Sequence, residues 1–431
     1  MNTASLYDNF LNSKGVSTDT RTLEKEALFF ALRGPNFNGN LFAKEALEKG
    51  AIAVVMDDSK SNIDDDRVVV VENSLKALQK LATYHREQLN TKLIALTGSN
   101  GKTTTKELIR EVLSTKYKVL ATEGNLNNHI GVPLTLLRLK EDHEIGVIEM
   151  GANHPGEIAD LADITKPNWG YITNFGKAHL EGFGSLEGVV KAKCELYNYL
   201  RQNNQQILIN GDDAKQLKQS QGAKVSSFGN TVKADFIWEA LDTIDSYVSI
   251  KFQDQLILSK LYGSYNAINL AAALSFSEIF GVPIDKGKKA LSNYNSTNNR
   301  SQLLSINETE YVLDAYNANP TSMLAALSAF AKKQKVCKMV ILGDMKELGS
   351  TAQVEHEEIA TQCLNYDFEK IILIGEQFYS TSIENERIIK FNDLNTFTKS
   401  FDKSNWNFNE VLIKGSRALQ LERLIPFFKS L

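Results

Sequence analysis

Cysteine is scarce. The chain carries three, Cys194, Cys337 and Cys363, at no paired spacing. That pattern excludes a disulfide scaffold and fits free thiols in a reducing compartment. Basic blocks are missing too, and the net charge is −4, so nucleic acid is not an expected partner. No stretch reaches the roughly 18 uninterrupted apolar residues of a membrane span. The opening, MNTASLYDNFLNSKG, has no charged-then-apolar leader pattern. A cytoplasmic protein is expected from these absences. Short repeats and low-complexity tracts are also absent. So is any Ser or Cys arrangement of the kind that builds a nucleophile.

What is present is length and alternation. At 431 residues the chain exceeds one ordinary core, and two or three domains are expected. GAIAVVMD (50–57) and RVVVVEN (67–73) read as strands. A helix follows, with Ser74 as its N-cap and Leu75, Leu78, Leu81 and Ala82 on one face. After a polar break at Gln88–Lys92 come KLIALT (92–97), IGVIEM (145–150), GYITNF (170–175) and QQILIN (205–210), with helical stretches between them. This alternation predicts a parallel sheet covered by helices. Around 225–262 the pattern turns to that of antiparallel hairpins, as in SYVSIKFQDQLILSKL. The helix NAINLAAALSFSEIFG comes next, ended by Gly281. Polar SNYNSTNNRSQ (292–302) marks a second boundary, beyond which KMVILGDM (338–345), KIILIG (370–375) and EVLIKGS (410–416) are strands again. The expected fold class is α/β in three units, 1–90, 91–298 and 299–431.

The segment IALTGSNGKTTTKELI (94–109) is an apolar strand that stops at a glycine and opens a helix. Backbone N–H groups at such a turn are free to hold an anion. Gly98, Ser99, Asn100 and Gly101 form the loop, with Lys102, Thr103 and Thr104 opening the helix. Lys102 would reach the β- and γ-phosphates of a nucleotide, and the Thr103 hydroxyl would face Mg²⁺. The strict phosphate-loop pattern wants a glycine five residues before Gly101, where Leu96 stands. The alternative is a Gly-containing turn with a surface lysine; strand before and helix after favour nucleotide.

Two further strands end in candidate metal ligands. Glu149 closes VIEM and His179 follows TNFGKAH, both at the sheet edge where ligands of such folds bind. A buried, hydrogen-bonded glutamate and a surface histidine are the plain alternative. Lys193, in EGVVKAKCELYNYL, shares a helix with apolar Val189, Val190, Leu196 and Tyr197. Spacing alone makes it a lysine that keeps its ammonium in water.

Together these segments resemble the Mur ligase family, which builds the cytoplasmic peptidoglycan precursor. The loop TGSNGKTTTKE is similar to the family's, which also lacks the earlier glycine. The resemblance implies a UDP-binding N-terminal domain, a central P-loop ATPase-like domain with a mostly parallel sheet, and a Rossmann-like C-terminal domain. It implies ATP and Mg²⁺, two ions, as cofactors. It gives Lys193 a role: captured CO₂ turns the amine into a carbamate, which joins Thr103, Glu149 and His179 around metal. YGSYNAINLAAAL implies that Asn266 and Asn269 read the adenine. Arg300 is similar to an arginine that approaches the phosphates, and Asp314 to the residue that holds the ribose.

LDAYNANPTSM (313–323) is the most discriminating stretch. Its YNANP looks like the mark of the member that adds D-alanyl-D-alanine to UDP-MurNAc-tripeptide. NLNNHIGVPLTLL (125–137), LGDMKELG (342–349) and KGSRALQLERL (414–424) are also similar to that member. Substrate contacts are therefore implied for Asn125, Asn127, Asn128, Tyr316, Asn317, Asn319 and Pro320. STDTR (17–21) implies Asp19 and Arg21 for the UDP end, while Thr20, Asn38 and Asn40 depart from the family pattern there. For Arg21 a surface ion pair is the rival reading. The resemblance implies a monomer whose third domain closes over the second, with NSTNNR as hinge. Open alternatives are a sister ligase adding one amino acid, a folylpolyglutamate synthetase-like ligase, a kinase, and a non-catalytic ATP-binding scaffold.

Overall fold

A computed structural model describes residues 3–61, 63–241, 247–333, 337–402 and 408–430. Met1, Asn2 and Ser246, which belong to stretches quoted above, lie outside the described residues. The first sheet is parallel, in the order β1 (Val16–Ser17), β2 (Leu28–Phe30), β3 (Ala53–Met56) and β4 (Val68–Val70). Helix α1 (Ser74–Gln88) lies over it. The cap of α1 is Asn73, whose side chain accepts the Lys76 N–H at 2.8 Å. This corrects the expectation for Ser74: its hydroxyl faces inward instead, donating to the Ala31 carbonyl at 2.7 Å. One apolar core runs from this sheet through Leu78 and Leu81 of α1 to Leu136 and Ile148 of the second unit, so the two share an interior.

Among the described residues the second sheet has nine strands. They are β5 (Lys92–Thr97), β6 (Val119–Ala121), β7 (Ile145–Glu149), β8 (Trp169–Ile172), β9 (Gln206–Asn210), β10 (Lys224–Gly229), β11 (Phe236–Ala240), β12 (Tyr247–Phe252) and β13 (Gln255–Tyr262). Their spatial order is β13-β12-β11-β10-β9-β8-β5-β7-β6. Leu93 to Leu96 are fully buried, as expected of a parallel strand covered on both faces. Among the described residues antiparallel pairing in this sheet is confined to β11-β12 and β12-β13; β10 and β11 pair in parallel, which narrows the hairpin reading of 225–262. Helices α2 (Lys102–Leu113) and α3 (Asn266–Ile279) pack together on one face. Gly281, at φ +65°, follows the end of α3, as its sequence position predicts.

The third sheet, in the order β14 (Gln302–Ile306), β15 (Thr309–Asp314), β19 (Glu410–Lys414), β16 (Lys338–Gly343), β17 (Lys370–Ile374) and β18 (Ile388–Phe391), is parallel except for the β14-β15 hairpin. Registers Leu96 with Glu149 and Thr97 with Ile172 bring the ends of β5, β7 and β8 level. In the third sheet Asp314 and Lys414 end level in the same way. The carboxyl edges of the second and third sheets both supply lining to one cavity.

Candidate active site

The phosphate loop is fixed by the strand beside it. Gly98, at φ +144°, sits where a Cβ would meet Thr173 Oγ1 at 2.0 Å. Thr173 Oγ1 donates to the Asn100 carbonyl at 2.6 Å, and Asn100 N–H donates to Asn174 Oδ1 at 3.0 Å. Gly101 (φ +80°) precedes α2. Lys102 folds back so that Nζ donates to the Gly98 carbonyl at 2.7 Å. Burial lowers its pKa and outweighs the pull of Glu149.

Glu149 ends β7 and is 2% exposed. Asn127 Nδ2 donates to its Oε1 at 2.7 Å, whereas Oε2 is buried and has no hydrogen-bond partner. A buried carboxylate oxygen left bare is costly and suits a cation. His179 lines the same cavity. Among the described residues no three His, Cys, Asp or Glu side chains converge to hold a metal. A cation here would therefore need further oxygen donors, such as Thr103 Oγ1 or a carbamate on Lys193, and such donors suit Mg²⁺.

Lys193 reverses the expectation from spacing. It is fully buried rather than snorkelling, with Nζ 3.5 Å from the Ala152 carbonyl and 5.2 Å from the Phe183 ring centroid. It ends the helix Leu186–Lys193, which Cys194 joins to a second short helix, Glu195–Gln202. Burial, then the charge of Lys102, pushes its ammonium down to about 7. The side chain sits behind the cavity wall at Ala152 rather than lining it.

The third domain completes the cavity. Arg300 stacks on Tyr316, Cζ 3.8 Å from the ring centroid, and its Nε is unpartnered. Asp314 accepts Ser301 N–H at 3.2 Å and Lys414 Nζ at 2.6 Å. Asn319 Nδ2 donates to Asn100 Oδ1 at 2.7 Å, linking the third domain to the phosphate loop. On the opposite wall Asn269 accepts from Thr105 Oγ1 and donates to Asn266 Oδ1, and Asn266 donates to the Tyr262 carbonyl.

The structure thus gathers most of the sequence-predicted residues. Ser99, Asn100, Gly101, Lys102, Thr103 and Thr104 line the cavity, as do Asn125, Asn127 and Asn128. So do Glu149, His179, Asn266 and Asn269, and from the third domain Arg300, Asp314, Tyr316, Asn317 and Asn319. Gly98, Lys193 and Pro320 are not in that lining. Asn128 also has a structural task, accepting the Ile130 and Gly131 N–H groups. Asp19 and Arg21 lie apart from the cavity and pair with each other at 2.6 Å; that bond holds Asp19 down to about 2. Asn38 and Asn40 brace their own loop, Asn40 exchanging hydrogen bonds with Asp57. Thr173, Asn174 and Lys414 were not singled out by sequence, although each stands at or just past the carboxyl end of a strand, the signal that found Glu149.

Three family models match the chain: Mur ligase family, catalytic domain, over 12–86; Mur ligase middle domain over 96–276; and Mur ligase, glutamate ligase domain, over 299–402. The UDP-N-acetylmuramoyl-tripeptide--D-alanyl-D-alanine ligase of Bacillus subtilis (strain 168) is 33% identical, covering 95% of this chain and 92% of that protein. The same-named ligase of Escherichia coli (strain K12) is 34% identical over the same shares. A crystal structure of MurF from Acinetobacter baumannii superposes with a TM-score of 0.89 at 28% identity, covering 100% of this chain and 98% of that one. MurF ligase from Thermotoga maritima in complex with ADP gives 0.86 at 28%, covering 98% of each. Matched along nearly its whole length, the chain belongs to the Mur ligase family.

Proposed function

We propose that this enzyme uses ATP to join D-alanyl-D-alanine to UDP-N-acetylmuramoyl-tripeptide, giving the pentapeptide, ADP and phosphate during cytoplasmic synthesis of the peptidoglycan precursor. One observation carries the reading. A cavity of about 620 Å³ takes in the phosphate loop, Glu149 and His179 from the second domain together with Arg300, Asp314 and Asn317 from the third. The whole-length similarity to ligases of that name supports the choice of substrates.

The chemistry explains why the cavity is built from cations and amides. A carboxylate is a poor electrophile. Transfer of the γ-phosphoryl group makes an acyl phosphate, the dipeptide amine attacks its carbonyl carbon, and phosphate leaves with the bonding pair. The protein's task is to neutralise and place anions. Lys102, bonded to the Gly98 carbonyl, would exchange that acceptor for a phosphate oxygen. Arg300, with Nε unpartnered, would meet the phosphates from the other side. Asp314 would hold the ribose, with Lys414 fixing its orientation. Asn266 and Asn269, already bonded to one another, would present their remaining amide N–H hydrogens to adenine. Asn317 and Asn319 would face the incoming dipeptide, and closure would keep water from the acyl phosphate. Asp19 and Arg21 would serve the UDP end only by opening their mutual pair.

Thr103, Glu149, His179 and Lys193 as a carbamate would hold Mg²⁺. When bound, the ion offsets phosphate charge. The bare Oε2 of Glu149 supports this set, and so does a Lys193 amine held down to about 7, so that a large share of it is neutral at pH 7.

Mass spectrometry of products from UDP-MurNAc-tripeptide, ATP and D-Ala-D-Ala tests the reading. The pentapeptide product is expected, with far less phosphate released when single amino acids or glutamate replace the dipeptide. Preference for a single amino acid would move the chain to a sister ligase. Lys102→Ala should abolish ligation and leave the thermal melt unchanged; full activity in that variant would remove the loop from the mechanism.

A further inference from the structure

We infer that Glu347 of the third domain is a positioning residue for His179 of the second, setting the imidazole as a metal ligand only when the two domains are closed. The inference rests on the reading of His179 as a ligand given above. His179 follows β8, and Glu347 follows β16 in the third sheet. His179 Nδ1 lies 2.5 Å from Glu347 Oε2. The approach is too bent for a regular hydrogen bond, yet that buried nitrogen has no other protein partner among the described residues. Functional hydrogen bonds are often poorly aligned before substrates load.

The backbones meet as well. Glu181 N–H donates to the Glu347 carbonyl at 3.2 Å. A Cβ on Gly349 would come 3.3 Å from Glu181 Cα, so the two loops abut main chain to main chain. His179 (φ +52°) and Glu347 (φ +63°) are both non-glycine residues in the left-handed region. Such strain persists where the surroundings enforce it, and here each loop is the other's surroundings. Lys177 reinforces the seam, pairing with Glu355 at 2.7 Å and donating its N–H to Thr321 Oγ1 at 3.0 Å.

The chemistry gives this contact a purpose. A metal-bound imidazole must offer one nitrogen as a lone pair, and a carboxylate holding the proton on the other fixes that tautomer and ring angle. With Glu347 opposite Nδ1, Nε2 is the nitrogen left for a ligand. The carboxylate comes from the far side of the seam, so metal affinity is tied to closure.

Mn²⁺ affinity, measured by electron paramagnetic resonance with a nonhydrolysable ATP analogue, tests this apart from turnover. Glu347→Ala should weaken Mn²⁺ binding about tenfold or more. Glu347→Gln, whose amide oxygen still accepts from Nδ1–H, should recover part of that loss. In a His179→Ala background, Glu347→Ala should cost nothing further, because its effect passes through the imidazole. If His179→Ala leaves affinity unchanged, the ligand reading falls and the inference falls with it. If His179→Ala weakens binding while Glu347→Ala does not, or the two losses add, the inference alone is overturned. Lys177→Ala serves as a control for closure: a loss equal to that of Glu347→Ala, with no recovery in Glu347→Gln, would reduce Glu347 to a latch.

Discussion

At Lys193 a charge has nowhere to go. The helical pattern suggested an ammonium reaching water, but no part of the side chain does, and its best acceptor is a carbonyl at 3.5 Å. A buried ammonium with so little support gives up its proton, and a neutral amine can react with CO₂. Lys193→Ala should therefore cut ligation about a hundredfold, with partial rescue by acetate or formate. Undiminished turnover without rescue would take Lys193 out of the site. Two histidines are also buried, for structural ends. His356 accepts Met345 N–H through Nε2 at 2.9 Å and faces the Ala352 carbonyl through Nδ1 at 2.6 Å. His85 sits between the Leu139 carbonyl and Tyr7. Burial lowers both pKa values. An unfolded histidine titrates near 6.5, so below about that pH the unfolded chain takes up protons that the folded chain refuses. Stability present above pH 6.5 should be lost as pH falls through the folded values. Calorimetry from pH 7 to 5 should record a falling Tm. His356→Gln should melt lower at pH 7 but respond less to acid. An unchanged pH response in that variant would count against His356. Asp57 belongs to a lower window: although burial opposes it, hydrogen bonds from Asn40, Arg33 and Ser74 hold it down to about 2.

At the scale of elements, Asn319 joins two functions at the start of helix α4 (Pro320–Ala331). Its Oδ1 accepts Ser322 N–H at 2.9 Å in a capping box, with Pro320 in the first turn. Its Nδ2 reaches Asn100. Asn319→Ala should cost about 1 kcal/mol through the lost cap and should also weaken ATP use. Asn319→Ser restores a cap but is too short to reach Asn100. It should recover the melting temperature and not the activity, which separates the two tasks; recovery of both would mean the Asn100 contact is idle. Elements of this kind also mark how far sequence goes. KLIALT is apolar from Leu93 to Leu96, between a polar break and a glycine, and β5 covers the same six residues. The two-residue β1 and the three-residue β2 and β6 are too short for a period to register. Ser74 and Asn73 are both good caps, and only tertiary demand from Ala31 and Asp57 decides between them. Glu149 was legible because it ends an apolar strand. Lys193 was legible only through resemblance, since its burial is set by tertiary packing near Ala152 and Phe183 that no local pattern marks.

Across the whole molecule the second and third domains meet in two unlike ways. Near the hinge the contact is packed: Tyr262, at the end of β13, is buried in the third domain's core with Val312 and Met323, and Tyr265 bonds to Ser301 at 2.7 Å. Asn299 and Ser301 flank Arg300 in left-handed conformations, so the chain turns sharply where NSTNNR was expected to hinge. At the opposite side the contacts are polar. They are Asn319 with Asn100, Lys177 with Glu355 and Thr321, and the Glu347 loop with residues 179 and 181. The Lys177–Glu355 pair is open to solvent at its lysine and so to screening by salt, whereas the packed tyrosine is held by burial that salt does not weaken. The jaw should therefore open more easily than the hinge comes apart. At about 1 M salt, where charges are screened beyond about 3 Å, small-angle scattering should record a larger radius of gyration for the nucleotide-free enzyme. Lys177→Ala should give the same expansion at low salt. ATP analogue should reverse it in the parent chain, if the nucleotide's charge bridges both halves of the cavity as proposed. Tyr262→Ala should act differently, lowering Tm without mimicking the salt response. A radius that ignores salt, Lys177 and nucleotide alike would mean that the domains are locked, and closure could then play no part in assembling the site.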